Sequence, residues 1–235
     1  MKKSFIFFST FLFFLLIGCS QSVPVLHFAK SSVVFEYGEE FDTKSRLSVF
    51  VEAGDNVKRV EKLIIKNDNH DLSWTVEDLV LIQSVDRLYC GYPNLVVQTE
   101  DRIPTGNYNV TFIQADGTEK NISVNVTYDE IFYDSKKEDI PNIVKNKNGT
   151  NKIAVYNDSN VLLYFGDKTL AYENKEKILN NHESAFYYND VWVLPNNSVI
   201  CIMEPVYLQD DEQIQTSADF EKKINNVLEN SDNKI

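Results

Sequence analysis

Residues 107–128, NYNVTFIQADGTEKNISVNVTY, carry the clearest structural signal in the chain. From Tyr108 to Phe112 apolar residues alternate with polar ones, which is the pattern of a β-strand with one buried face. Asp116-Gly117 then supplies the positive φ that a tight turn requires. Apolar residues alternate again from Ile122 to Tyr128, so this stretch predicts an antiparallel β-hairpin.

The same alternation extends back from this hairpin for about a hundred residues, with turn residues between the apolar segments. Short strands at this spacing are typical of an antiparallel β-sandwich. We therefore expect a mainly β protein whose first domain covers residues 25–128. The predicted strands are Val23–Phe28, Val33–Glu36, Arg46–Val51, Val60–Lys66, Leu72–Val76, Leu79–Gln83, Leu95–Thr99, Tyr108–Gln114 and Lys120–Tyr128.

The approach to the hairpin resembles the penultimate strand of bacterial Ig-like and fibronectin-type domains. The residues that carry the resemblance are Pro104, Gly106 and Tyr108, since such domains have a tyrosine near the start of this strand. The resemblance implies an Ig-like sandwich. Trp74 is not flanked by a cysteine pair, which excludes a close match to the disulfide-bonded domains of antibodies.

A second, smaller domain is expected after a polar connector at residues 129–149 with one short helix. Residues 150–208 predict a β-meander, and Asn189-Asp190 predicts a turn within it. The segment Glu173–Asn181 is an alternative helix, because Glu173 and Lys177 are spaced i,i+4. The predicted strands are Ile153–Tyr156, Val161–Phe165, Thr169–Tyr172, Ala185–Tyr188, Val191–Leu194 and Val199–Met203.

The C-terminal residues 209–235 begin with an acidic run and continue with helical spacing. Phe220, Ile224, Val227 and Leu228 fall on one helical face, which predicts an amphipathic helix packed on the body.

The N-terminus has the pattern of an export signal. Lys2 and Lys3 precede an apolar run, Phe5–Ile17, that is shorter than the roughly 20 residues of a membrane-spanning helix. The run ends at Gly18-Cys19. We expect a cleaved signal peptide at residues 1–18 and a short tether at residues 19–24.

Leu16-Ile17-Gly18-Cys19 resembles the lipobox of the bacterial lipoproteins. The resemblance implies cleavage between Gly18 and Cys19 and a diacylglycerol thioether on Cys19, with fatty acyl chains such as palmitate in the bilayer. Ser20 stands where inner-membrane lipoproteins of enteric bacteria often have Asp. The expected location is therefore the cell envelope, with the outer membrane slightly favoured over the inner membrane.

The charge balance narrows the range of partners. Lys and Arg total 23 against 35 Asp and Glu, a formal net charge of -12 at pH 7. Loss of residues 1–18 removes Lys2 and Lys3 and makes the body more negative still. Such a body repels phosphate backbones, so we expect no nucleic-acid partner.

No familiar catalytic or metal-binding motif occurs. His27, His70 and His182 are scattered, and none has zinc-site spacing. Nucleotide-binding glycine loops and the G-x-S-x-G motif are absent. We therefore expect a non-enzymatic protein with no metal and no cofactor. The alternative is a carbohydrate-active hydrolase, because a catalytic carboxylate pair needs only to meet in space.

Aromatic residues crowd the second domain, and Tyr187, Tyr188 and Trp192 flank the predicted Asn189-Asp190 turn. Exposed rings at a turn would form a contact region for a protein or glycan partner in the envelope. The same rings would instead belong to the domain's own core if they alternate into it. The sequence thus predicts a lipid-anchored envelope protein that acts as a binding or structural module.

Two cysteines follow Cys19, and they either form a disulfide or remain separate thiols. Cys90 and Cys201 lie in different predicted domains, so separate buried thiols are favoured over a disulfide, which needs Cα atoms within about 7 Å.

Overall fold

The computed structural model describes residues 23–38, 43–97 and 102–208. The predicted signal peptide, the lipidation site Cys19 and the predicted C-terminal helix lie outside the described residues.

The protein is mainly β, as the sequence predicts. Its strands are β1 Phe28–Tyr37, β2 Thr43–Glu52, β3 Val60–Asn67, β4 Leu72–Val76, β5 Val80–Ser84, β6 Arg87–Leu95, β7 Gly106–Gln114, β8 Glu119–Val126, β9 Thr150–Tyr156, β10 Leu162–Asp167, β11 Tyr187–Val193 and β12 Val199–Tyr207.

Helices in the described residues are short. The α-helices are α1 Glu130–Asp134, α2 Ile140–Asn146 and α3 Lys175–Asn181, and the 3-10 helices are Gly54–Arg59, Asp68–His70, Lys137–Asp139 and Leu170–Tyr172. The connector at residues 129–149 is more helical than predicted, because Phe132, Ile140 and Val144 are buried and anchor both of its α-helices.

Two sheets contain the strands. The larger sheet has the order β10-β9-β11-β12-β1-β2-β6-β5, and the smaller one has the order β4-β3-β7-β8. β1 pairs with β12 in parallel, with Val33 opposite Val199 and Phe35 opposite Cys201. A strand from the predicted first domain therefore lies beside a strand from the predicted second domain.

Residue contacts divide the chain into two compact units. Among the described residues, the first unit contains 23–29, 50–92 and 108–124. Its core lies along β3 and β7, where Leu63 faces Phe112 and Ile65 faces Val110, all fully buried. Burial of each of these four side chains contributes roughly 1.5–3 kcal/mol of hydrophobic stabilisation to the unit.

The second unit contains 30–49, 93–97, 102–107 and 125–208 among the described residues. One of its apolar clusters is formed by Ile153, Val155, Ile178, Ala185 and Leu208, and another by Ala154, Val191 and Val193. Consecutive residues of β9 enter different clusters, because successive strand side chains point to opposite faces.

The hairpin at residues 107–128 forms as predicted. β7 and β8 are neighbours, Gly117 has φ 82, and the Asp116 carboxylate accepts a hydrogen bond from the Thr118 N–H at 2.8 Å. Tyr108 is fully buried at the start of the hairpin, and its ring stacks on Trp74 with 6.3 Å between centroids.

Several predicted strand positions are wrong. Residues 23–27 are not a strand, and Val23 and Val25 are exposed. Residues 170–172 form a 3-10 turn, because the Thr169 side chain accepts a hydrogen bond from the Ala171 N–H. The alternative helix after it is present as α3, capped by the Asn174 side chain. Leu95 ends strand β6 instead of beginning a strand.

Candidate functional site

The predicted contact residues Tyr187, Tyr188 and Trp192 all lie on β11. The turn expected at Asn189-Asp190 is wrong, because β11 runs through both residues and pairs with β9 on one side and β12 on the other. Tertiary partners hold the two polar side chains in the strand. The Asn189 Nδ2 donates to the Met203 carbonyl at 2.7 Å, and the Asp190 carboxylate binds Lys168.

Strand alternation separates the three predicted residues. Tyr187 points to one face of the sheet, whereas Tyr188 and Trp192 point to the other. They therefore do not form a single patch, and the two faces of β11 have different surroundings.

On the first face, three half-buried tyrosines from neighbouring strands lie side by side. Tyr187 is directly opposite Tyr156 on β9 and Tyr207 on β12. The rings of Tyr156 and Tyr187 stack with centroids 4.9 Å apart and planes 13° apart, and Tyr207 lies 5.9 Å from Tyr187 at 54°. We call these three residues the tyrosine ladder.

The ladder presents hydroxyl groups and ring edges. The Tyr187 hydroxyl donates to the Asn160 Oδ1 at 3.1 Å. Burial raises the pKa of Tyr156 and of Tyr187, and the adjacent tyrosine and the Glu36 carboxylate raise both further. The hydroxyls of Tyr156 and Tyr187 are therefore protonated at neutral pH, and that of Tyr187 keeps its oxygen as an acceptor while it donates to Asn160.

On the opposite face, each predicted ring lies beneath a lysine. The Lys145 ammonium is 4.7 Å from the Trp192 ring centroid, and the Lys168 ammonium is 5.4 Å from that of Tyr188. Tyr188 also packs against the apolar cluster of Ile153 and Val155. These contacts give Tyr188 and Trp192 a stabilising role within the second unit.

A cavity of about 330 Å³ opens within the second unit, close to the small end of the range for ligand pockets. Asp190, on the same face of β11 as Tyr188, contributes to its wall. The cavity is lined by Tyr37, Thr43, Glu138, Pro141, Asp190, Met203, Glu204 and Val206.

Three carboxylates in this lining bear on the hydrolase alternative. Asp190 forms an ion pair with Lys168, with Nζ–O distances of 2.7 and 3.0 Å, while Glu138 and Glu204 are exposed. None of them has the buried, unpaired surroundings that a glycosidase gives to its acid. The described residues also contain no group of three or more His, Cys, Asp or Glu side chains that could hold a metal ion.

Both remaining cysteines are buried free thiols, and the two do not form a disulfide with each other. Burial raises the pKa of the Cys90 thiol and of the Cys201 thiol to about 12. The Tyr37 hydroxyl beside Cys201 partly opposes this rise for Cys201. A thiol with such a pKa is almost entirely protonated at pH 7, which makes it a poor nucleophile.

No protein-family model matches this chain, and no curated protein matches it. Within the described part of the chain, none of the helices has the length and apolar character needed to cross a membrane.

The sequence predicts Tyr187 as a contact residue, but it does not predict that Tyr156 and Tyr207 lie beside it. Tyr207 is not predicted to lie in a strand, because the predicted last strand ends at Met203, before Glu204 and Pro205. β12 in fact continues to Tyr207, with a register shift between Asn189 and Val191 of its partner β11. Its pairing with β1 covers only Val199–Ile202, so Pro205, which has no N–H to donate, lies beyond that ladder.

Proposed function

We propose that this protein is a lipid-anchored bacterial envelope lipoprotein that binds a protein partner through the tyrosine ladder and catalyses no reaction. The single observation that supports the binding role most strongly is the alignment of Tyr156, Tyr187 and Tyr207 on one sheet face. The lipobox residues Leu16-Ile17-Gly18-Cys19 support the anchor.

The ladder suits a protein interface for reasons of chemistry. Tyrosine is enriched at interface hot spots because it combines a large apolar ring with a hydrogen-bonding hydroxyl. The three rings are held by contact with one another, so little side-chain entropy is lost when a partner binds. Tyr187 uses one ring face against Tyr156 and donates its hydroxyl hydrogen to Asn160, so its ring edge and hydroxyl oxygen are what it offers a partner, which favours a protein over a stacked sugar ring.

The anchor would hold this surface close to the membrane. Acyl chains on Cys19 stabilise membrane binding by about 0.8 kcal/mol for each buried CH₂ group. The acidic body is repelled by anionic lipid and is expected to stand away from the bilayer, where the ladder remains accessible. Ser20 after Cys19 favours the outer membrane as the location.

Capture from solubilised envelopes tests the binding role. Tyr187→Ala is expected to reduce capture of the partner by at least about tenfold, which corresponds to roughly 1.4 kcal/mol. Tyr133→Ala, at an exposed tyrosine on α1 outside the ladder, is the matched control and is expected to capture normally. If both variants retain melting temperature and capture equally, the ladder is not the binding surface.

The second candidate is a carbohydrate hydrolase that would use two of the three carboxylates in the cavity lining. Glu138→Gln and Glu204→Gln test this candidate, because each removes an ionisable group at an exposed position. Loss of glycan hydrolysis by about a hundredfold or more in both variants would establish the enzyme and refute the non-catalytic proposal. Absence of hydrolysis by the wild-type protein on envelope glycans would eliminate this candidate.

A further inference from the structure

Strand β5, Val80–Ser84, forms one end of the larger sheet and pairs there with β6. All five of its residues are exposed, including the apolar Val80 at 40%, Leu81 at 55% and Ile82 at 42%. Because neighbouring residues point to opposite faces, described residues cover neither face of the strand fully. β5 therefore presents apolar side chains as well as an edge that no strand of the described residues pairs with.

Within Val80–Ser84 this edge lacks three of the features by which proteins protect an edge strand, which are charged residues, proline and β-bulges. The segment Val80–Ser84 contains neither a charged residue nor a proline. Its pairing with β6 is regular from Val80–Gly91 to Ser84–Arg87. An edge with these properties accepts an additional strand readily.

The hairpin turn identifies the backbone groups that face outward. A two-residue loop makes the flanking pair, Ser84 and Arg87, a hydrogen-bonded pair. In an antiparallel ladder the bonded pairs alternate, so Leu81 and Gln83 direct their N–H and C=O groups away from β6. These two residues offer the donors and acceptors for a new strand.

We propose that β5 binds an extended segment of a protein partner as an added strand, and that this segment has an uncharged, β-forming centre with Lys or Arg at its ends. The exposed acids Glu77 and Asp78 precede β5, and the exposed Asp86 follows it. The neighbouring cation Arg87 is already engaged, since its Nη1 lies 3.5 Å from the Glu52 carboxylate. Negative charge at both ends of the strand attracts basic flanks.

The same acids argue against other occupants. Antiparallel pairing of two copies centred on Ile82 would place Asp78 of each copy opposite Asp86 of the other, and like charges directly opposite are destabilising. An anionic membrane surface would repel these carboxylates for the same reason. The inference concerns strands other than those of the tyrosine ladder and does not rest on the function proposed for it.

Fluorescence anisotropy on the detergent-solubilised full-length protein tests the proposal. The probe is a short labelled peptide in which Thr and Val alternate between paired lysines, and its matched control has glutamates in place of the lysines. The lysine peptide is expected to bind at least about tenfold more tightly than the glutamate peptide. In the double variant Asp78→Asn and Asp86→Asn, the lysine peptide and the glutamate peptide are expected to bind with similar affinity.

Backbone recognition is tested at Gln83. Gln83→Pro removes an outward N–H and is expected to abolish peptide binding, whereas Gln83→Thr keeps the N–H and is expected to bind normally. Leu81→Lys is a second variant in case Gln83→Pro melts early, and its charge is expected to repel the lysine peptide. The tyrosine variant Tyr187→Ala is expected to bind the peptide like the wild type.

Three results would overturn the proposal. The first is failure of the lysine peptide to bind, or equal binding of both peptides to the wild type. The second is normal binding by both Gln83→Pro and Leu81→Lys. The third is a Leu81-dependent dimer in sedimentation or Leu81-dependent partition onto phosphatidylglycerol vesicles, either of which assigns the edge to a different occupant.

Discussion

Val85, in the turn between β5 and β6, has an unfavourable backbone conformation for its residue type. Its φ is 50, and its side chain is 87% exposed. A β-branched residue in the left-handed region is strained by roughly 1–2 kcal/mol, and this exposed side chain has little packing to compensate.

Val85→Gly is therefore expected to raise the free energy of unfolding by about 0.5–1 kcal/mol, since glycine adopts a positive φ without strain. Ser84→Gly is the control, and it is expected to lower the free energy of unfolding by a similar amount because glycine weakens a regular strand. Urea denaturation measures both. Destabilisation by Val85→Gly as large as that by Ser84→Gly would show that Val85 carries no strain.

The two buried thiols also have a distinct chemical signature. Because burial raises the pKa of Cys90 and of Cys201 to about 12, their thiolate fraction at pH 8 is roughly a thousandfold below that of an ordinary cysteine. We expect both to resist iodoacetamide in the native protein and to react rapidly in urea, as read by mass spectrometry of their peptides. Rapid native alkylation of either thiol would contradict the described burial.

The raised pKa values of Cys90 and Cys201 also make the free energy of unfolding depend on pH. The folded state favours the protonated thiols, so the contribution of the two buried thiols to the free energy of unfolding is fully present below pH 9. It declines as the pH rises from the ordinary thiol pKa of 9.0 toward about 12.

At the scale of elements, local pattern predicted β7 and β8 well because their determinants are local. Alternation from Tyr108 and the Asp116-Gly117 turn are contained within one hairpin. Asn189-Asp190 also has turn propensity, yet it lies inside β11, because Met203 and Lys168 satisfy its side chains. Those partners are distant in the sequence, so propensity alone could not reveal them.

The two faces of β11 are expected to respond differently to mutation. Trp192→Ala removes a half-buried ring beneath Lys145 and is expected to lower the free energy of unfolding by about 2 kcal/mol. Tyr187→Phe keeps the stacked ring and removes only the hydroxyl that donates to Asn160, so its effect is expected to stay below about 1 kcal/mol. Urea denaturation compares them, and an unchanged midpoint for Trp192→Ala would refute its stabilising role.

At the scale of the whole molecule, the fold class was predictable and the strand order was not. Alternation reports that a residue belongs to a half-buried strand, but it does not identify the neighbouring strand. The parallel pairing of Val33 with Val199 joins segments that local pattern placed in separate domains. The tyrosine ladder could not be predicted for the same reason, because its three residues become neighbours only through the pairing of β9, β11 and β12.

The proposed anchor predicts a clear change in location. Cys19→Ala removes the thiol that would carry the diacylglycerol, so the variant is expected to lose labelling by radioactive palmitate and to leave the membrane fraction or remain as an uncleaved precursor. Cys201→Ala is the control and is expected to be labelled normally. A wild-type protein without palmitate label, together with normal membrane retention of Cys19→Ala, would refute the lipoprotein proposal.

Photo-crosslinking in intact cells tests the proposal that an anchored body presents the tyrosine ladder to a protein partner. A photoreactive phenylalanine analogue is placed at Tyr187 in the full-length chain and, as a control, at Tyr133. We expect a discrete protein adduct from position 187 that is absent from position 133 and lost when Cys19→Ala is combined with it. No adduct from position 187, or the same adduct from both positions, would contradict it.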